Sequence, residues 1–63
     1  MTVTEALALG AARLRAAGIE GAARDARRLL AGAMGVAAGR LGAMGPETVP
    51  AAAERRFGEM LEA

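Results

Sequence analysis

The sequence predicts an all-α fold, a small bundle of about four helices. Apolar residues recur at i, i+3, i+4 and i+7 in one segment after another, which is the signature of helices with one buried face. Glycine and proline punctuate those segments at the spacing of short loops, at Gly18, Gly21, Gly35, Gly45, Pro46 and Pro50. No alternating β-branched run occurs, so nothing reads as a strand. The expected arrangement is an antiparallel helix hairpin, a short middle helix and a C-terminal helix, all in one domain, because 63 residues make at most one small domain.

The first helix is predicted from Val3 to Ala17. Thr2 and Glu5 have the Thr-x-x-Glu spacing of a capping box, in which each residue's side chain bonds the other's backbone N–H. Val3, Leu7, Gly10, Ala11 and Leu14 then line one face, and Gly18 is a natural stop. Leu9 lies off that stripe as an exposed leucine, an ordinary feature of protein surfaces; a contact with another domain is the other reading. The loop of Gly18, Ile19, Glu20 and Gly21 is short, which folds the next helix back on the first. Ile19 is expected to tuck beneath that helix.

The stretch GAARDARRLLAGAMG, Gly21 to Gly35, is the most regular in the chain. Ala22, Ala26, Leu29, Leu30, Ala33 and Met34 share a face, and Gly35 follows where a left-handed residue commonly ends a helix. Arg24 and Arg28, four apart, lie on the opposite face with Arg27 beside them. Only a short helix is expected near residues 37–43, because the glycines there each cost roughly 1 kcal/mol against alanine; Val36, Leu41 and Met44 would turn inward. Gly45-Pro46 ends it, and Glu47, Thr48 and Val49 read as a loop. Pro50 suits the first turn of the last helix, where its missing N–H is no loss. Ala53, Phe57, Met60 and Leu61 share that helix's inner face, with Glu54, Arg55, Glu59 and Glu62 outward. Leu7, Leu14, Leu29, Leu30, Phe57 and Leu61 are expected to form one core. The last helix carries no stop signal, as expected of a piece cut from a longer chain.

Composition bounds the chemistry more tightly than the fold. The chain has no His, Cys, Ser, Lys, Asn, Gln, Tyr or Trp. Nucleophilic triads and Schiff-base chemistry lose their usual groups. A metal site would need carboxylates alone, and Asp25 and the glutamates are scattered. No spacing pairs two carboxylates for acid–base work. The glycine-dotted AGAMGVAAG follows a helix instead of a strand, so it is no dinucleotide loop. No catalytic, cofactor-binding or metal-ligating residue is therefore expected. The absence of cysteine fits a reducing cytoplasm. The N-terminus lacks the basic leader and apolar run of a signal peptide, and no apolar run approaches the roughly 20 residues of a membrane span.

The net charge of +1 predicts no polyanionic partner by itself. Arg24, Arg27 and Arg28 form the one charged ridge. A DNA-reading helix would set Asn or Gln beside arginine, and RNA binding would call for aromatic stacking; the ridge has neither. It reads either as a solvated face or as a docking face for a partner protein. Asp25 and Arg28 stand at i and i+3, the spacing of a weak local ion pair.

Taken together, the motifs resemble the start of the bacterial release-factor glutamine methyltransferases, the PrmC or HemK family. The resemblance runs from a TLTEAL-type opening (here Thr2 to Leu7), through an LxxAGI turn (Leu14 to Ile19), to a DA..LL helix (Asp25, Ala26, Leu29, Leu30) ending at Gly35. A short helix with Arg40 and Leu41, a proline-bearing loop and a helix over 50–62 follow in order. Glycine at 32, 39 and 42 departs from the family pattern. The resemblance implies a parent enzyme that uses S-adenosylmethionine to methylate the glutamine of the Gly-Gly-Gln motif in class I peptide chain release factors. It also implies that this chain is the helical N-terminal domain that helps hold the release factor, beside a separate Rossmann-like catalytic domain with an Asn-Pro-Pro-Tyr motif. No such motif is present here, so no catalytic or cofactor residue carries over. Partner contacts, by this reading, fall on Arg24, Arg27 and Arg28, with the release factor and the catalytic domain of the same chain as partners. A free-standing helical protein-interaction or DNA-binding module is the alternative.

Overall fold

The computed structural model describes residues 1–62. Three α-helices, α1 (Val3–Ala16), α2 (Ala22–Met34) and α3 (Ala51–Glu62), are joined by loops and by a 3₁₀ helix at Ala38–Ala43. No strand forms among the described residues, and the single isolated bridge pairs Thr2 with Thr48. α2 is the hub: it packs against α1, α3 and the 3₁₀ helix.

The capping box forms as expected. The Glu5 N–H donates to Thr2 Oγ1 at 3.1 Å, and the Thr2 N–H donates to Glu5 Oε1 at 2.7 Å. The other free N–H groups of that first turn are met from far along the chain. Val3 N–H donates to the Glu47 carbonyl at 2.9 Å and Thr4 N–H to the Gly45 carbonyl at 3.1 Å. Val49 N–H returns the contact to the Met1 carbonyl at 2.8 Å. The expected loop after the 3₁₀ helix is thus tied to the start of α1, and its Val49, only 3 % exposed, belongs to the core.

Both predicted glycine stops are real. Gly18 and Gly35 take φ of +79° and +71°, a region that costs a side chain energy and glycine little. Ile19 N–H reaches back to the Leu14 carbonyl and Val36 N–H to the Ala31 carbonyl, both at 3.0 Å, which helps satisfy the carbonyls in the last turns of α1 and α2. α2 has a second cover, since Arg56 Nη1 of α3 donates to the Ala33 carbonyl at 3.1 Å. The glycine-dotted middle segment does fold into a short helix, of the tighter 3₁₀ type suited to brief pieces. Leu41 is buried there, with Val36 and Met44 packed against the core.

The core differs in kind from a leucine-built one. Leu30, Leu41, Val3, Val49 and Phe57 are buried, and alanines 6, 11, 22, 26, 31, 33 and 53 are buried around them. Leu7, Leu29 and Leu61 pack partly buried at its edge. Two expectations are corrected. Leu14 is half-buried and stands outside the core cluster, and Ile19 is 41 % exposed instead of tucked under α2. The turn at Gly18 carries the chain outward before Ile19, so both side chains lie at the surface end of the hairpin. Leu9 is exposed.

Gly10 is the point of closest approach. It is buried in mid-α1, and a Cβ built there would lie 2.6 Å from Phe57 Cζ and 3.2 Å from Ala26 Cβ. The edge of the only aromatic ring therefore rests on the backbone of α1. Gly10→Ala gains roughly 0.5–1 kcal/mol of helix propensity but overpacks a ring with no room to move, at about 1–3 kcal/mol. The expected net result in a circular-dichroism melt is a Tm lower by several degrees. Phe57→Leu in the Gly10→Ala background should recover part of the loss, because the two sites share one space. A melt of Gly10→Ala equal to or above the parent contradicts this packing.

The capping box also sets a pH dependence. The Thr2 N–H, with a lesser contribution from its hydroxyl, holds the Glu5 carboxyl below its ordinary value of 4.5. A depressed folded pKa stabilises fully above the unfolded value, and that contribution is lost as pH falls through the folded one. The Tm advantage of the parent over Glu5→Gln should therefore be constant above about pH 5.5, a unit over that ordinary value, and shrink on acidification. Thermal melts of both chains across that range check it; a gap that widens in acid contradicts it.

Candidate functional site

The exposed face of α2 carries the features that the core leaves unused. Ala22, Ala26, Leu30, Ala31 and Ala33 turn inward, and Arg24, Arg27 and Arg28 are left on the outer side, all three exposed. They line a groove of about 310 Å³ whose other wall is the 3₁₀ helix, at Ala38, Gly39 and Gly42. A Cβ on either of those two glycines would meet nothing within 4 Å, so this wall is low and open. The sequence placed the three arginines on one face of α2; that the middle segment would face them across a groove was not legible from periodicity.

No carboxylate of the described residues lies within ion-pair distance of these arginines. The only ion pair among those residues joins the Met1 ammonium to Glu54 at 3.6 Å. Asp25 and Arg28 do not close the local pair that their spacing allows. Both instead border a second groove of about 290 Å³, floored by Leu14, Ile19 and Leu29. Arg28 borders both grooves, so the cationic and the apolar one are neighbours. The exposure of Ile19, misjudged from the sequence, is what makes the second groove apolar.

Chemically, the surface can bind but has little with which to react. Guanidinium groups stay protonated and offer flat, forked donors suited to carboxylates. Among the described residues no three potential metal-ligating side chains come together, and no buried side-chain polar atom lacks a partner. S-adenosylmethionine, which the family resemblance attaches to a parent enzyme, does not fit the residues present. With no strand among the described residues there is no glycine-rich strand–turn–helix to hold it, and both grooves are shallow surface features lined by arginine, glycine, aliphatic side chains and Asp25. Among the described residues no helix is long and apolar enough to cross a membrane.

Comparison with known proteins agrees with the order of motifs. The chain is 48 % identical over all 63 residues to a release factor glutamine methyltransferase of Cereibacter sphaeroides; the match covers 100 % of this chain and 23 % of that relative. No solved structure is detectably similar. A family model described as the PrmC N-terminal domain matches residues 5–63, nearly the whole length, and the chain therefore belongs to the family of PrmC N-terminal domains.

Proposed function

We propose that the chain is the substrate-docking part of a longer, S-adenosylmethionine-dependent methyltransferase that modifies the Gly-Gly-Gln glutamine of class I peptide chain release factors in the cytoplasm. Its task is to hold the release factor while a separate catalytic domain of the same protein performs the transfer. The observation that carries this reading is the match of the whole chain to a segment that makes up 23 % of a release factor glutamine methyltransferase, together with the family model of the PrmC N-terminal domain. The chemistry supports it as well: three arginines that pair with no carboxylate of the described residues share one face. Charged surfaces of this kind act chiefly on the rate and register of association.

Calorimetric titration of the chain tests the division of labour. Saturable binding of a class I release factor, with no heat above dilution for S-adenosylmethionine, is the expected result. Stoichiometric cofactor binding would overturn the assignment of catalysis to another domain. A release factor that produces no binding signal would remove the docking role.

A further inference from the structure

Arg28 borders both the cationic and the apolar groove, so two surfaces of different chemistry lie side by side. The cationic one holds Arg24, Arg27 and Arg28, none of them in an ion pair with a described residue. The apolar one holds Leu14, Ile19 and Leu29. Ile19 is one of three large apolar side chains that remain substantially exposed, and it stands beside the half-buried Leu14 and Leu29 instead of alone. Asp25, half-buried, borders the apolar one only.

We infer that these neighbouring grooves together take an acidic protein segment with an aliphatic anchor, and that a class I release factor supplies the segment. The inference rests on the docking role proposed above and adds the surface, its chemistry and its direction. The anchor seats against Leu14, Ile19 and Leu29, and removing Ile19 from water supplies affinity. Carboxylates beyond the anchor meet the arginine fork, which steers the encounter. Asp25 repels a carboxylate placed at the apolar end, so the segment lies with its acidic part toward the 3₁₀ helix. A nucleic acid is the weaker occupant, because the surface has no aromatic platform for bases and half of it is aliphatic.

The test is a titration of the ¹⁵N-labelled chain with an unlabelled class I release factor at low and high salt, read as amide shifts and line broadening. The expected changes centre on Ile19, Arg24, Arg28, Leu29, Gly39 and Gly42. Arg24→Glu with Arg28→Glu should weaken binding by roughly tenfold or more at low salt and by less at high salt, where screening is stronger. Ile19→Ser should weaken it at both salts alike. The amide spectra of the free variants show directly that each remains folded. Changes centred on another face, with both variants binding like the parent, overturn this inference and leave the docking role standing. No change at any amide overturns the docking role itself. A single-stranded RNA that moves the same amides at lower concentration than the release factor does assigns the arginines to phosphate and overturns the inference.

Discussion

The contact on which the rest of this small fold depends is the edge of Phe57 set against the bare backbone of Gly10. Phe57 is the only aromatic side chain available, and it is 2 % exposed. α1 can come close enough to hold it only because position 10 has no Cβ. The neighbours follow the same logic. Alanine at 6, 22, 26, 31, 33 and 53 buries fully while keeping the helices near each other, so a few large side chains fill the remaining space. A core of this kind is built from close approach more than from apolar area, and a chain this short has little area to spare.

Close packing leaves helix ends near one another, and the chain uses that to satisfy them. The loop carbonyls of Gly45 and Glu47 cap the start of α1, and Arg56 covers the end of α2. These long-range bonds bind the 3₁₀ segment and the last helix to the first hairpin, and they bring the 3₁₀ helix across from the arginine face of α2. The groove there is a consequence of how the helix termini are satisfied. Because the inner face of α2 is committed to alanine and leucine contacts, its outer face is free for a role unrelated to stability, and the three arginines there take no part in holding the fold.

Much of the architecture was legible because helical signals are local. Thr2 with Glu5, the glycines at 18 and 35, and the spacing through α2 each describe their own element without reference to the rest. What was not legible depends on partners distant in sequence. Val49 lies in the loop expected of it, but its burial goes with a bond from its N–H to the distant Met1 carbonyl. Nothing local to Arg56 announces its bond to the Ala33 carbonyl, 23 residues away. Gly10 reads as one residue of the inner face of α1, and its pairing with the Phe57 ring is not written in that spacing. Ile19 was expected inside because it is apolar, but the turn at Gly18 decides its direction. The arginines of the candidate surface were legible as a face of α2; the apolar groove beside them was not, since it depends on that outward turn.

On the proposed function, capture of the release factor and transfer of the methyl group fall to separate domains of one longer protein. The most direct measurement compares the parent methyltransferase with a form lacking residues 1–63, on two substrates: an intact class I release factor and a short peptide containing Gly-Gly-Gln. A docking domain should matter only to the substrate large enough to reach it. The account predicts a lower kcat/KM on the intact factor, through a raised KM, and an unchanged rate on the peptide, which also shows that the catalytic domain remains folded. Equal losses on both substrates, or no loss on either, would contradict it.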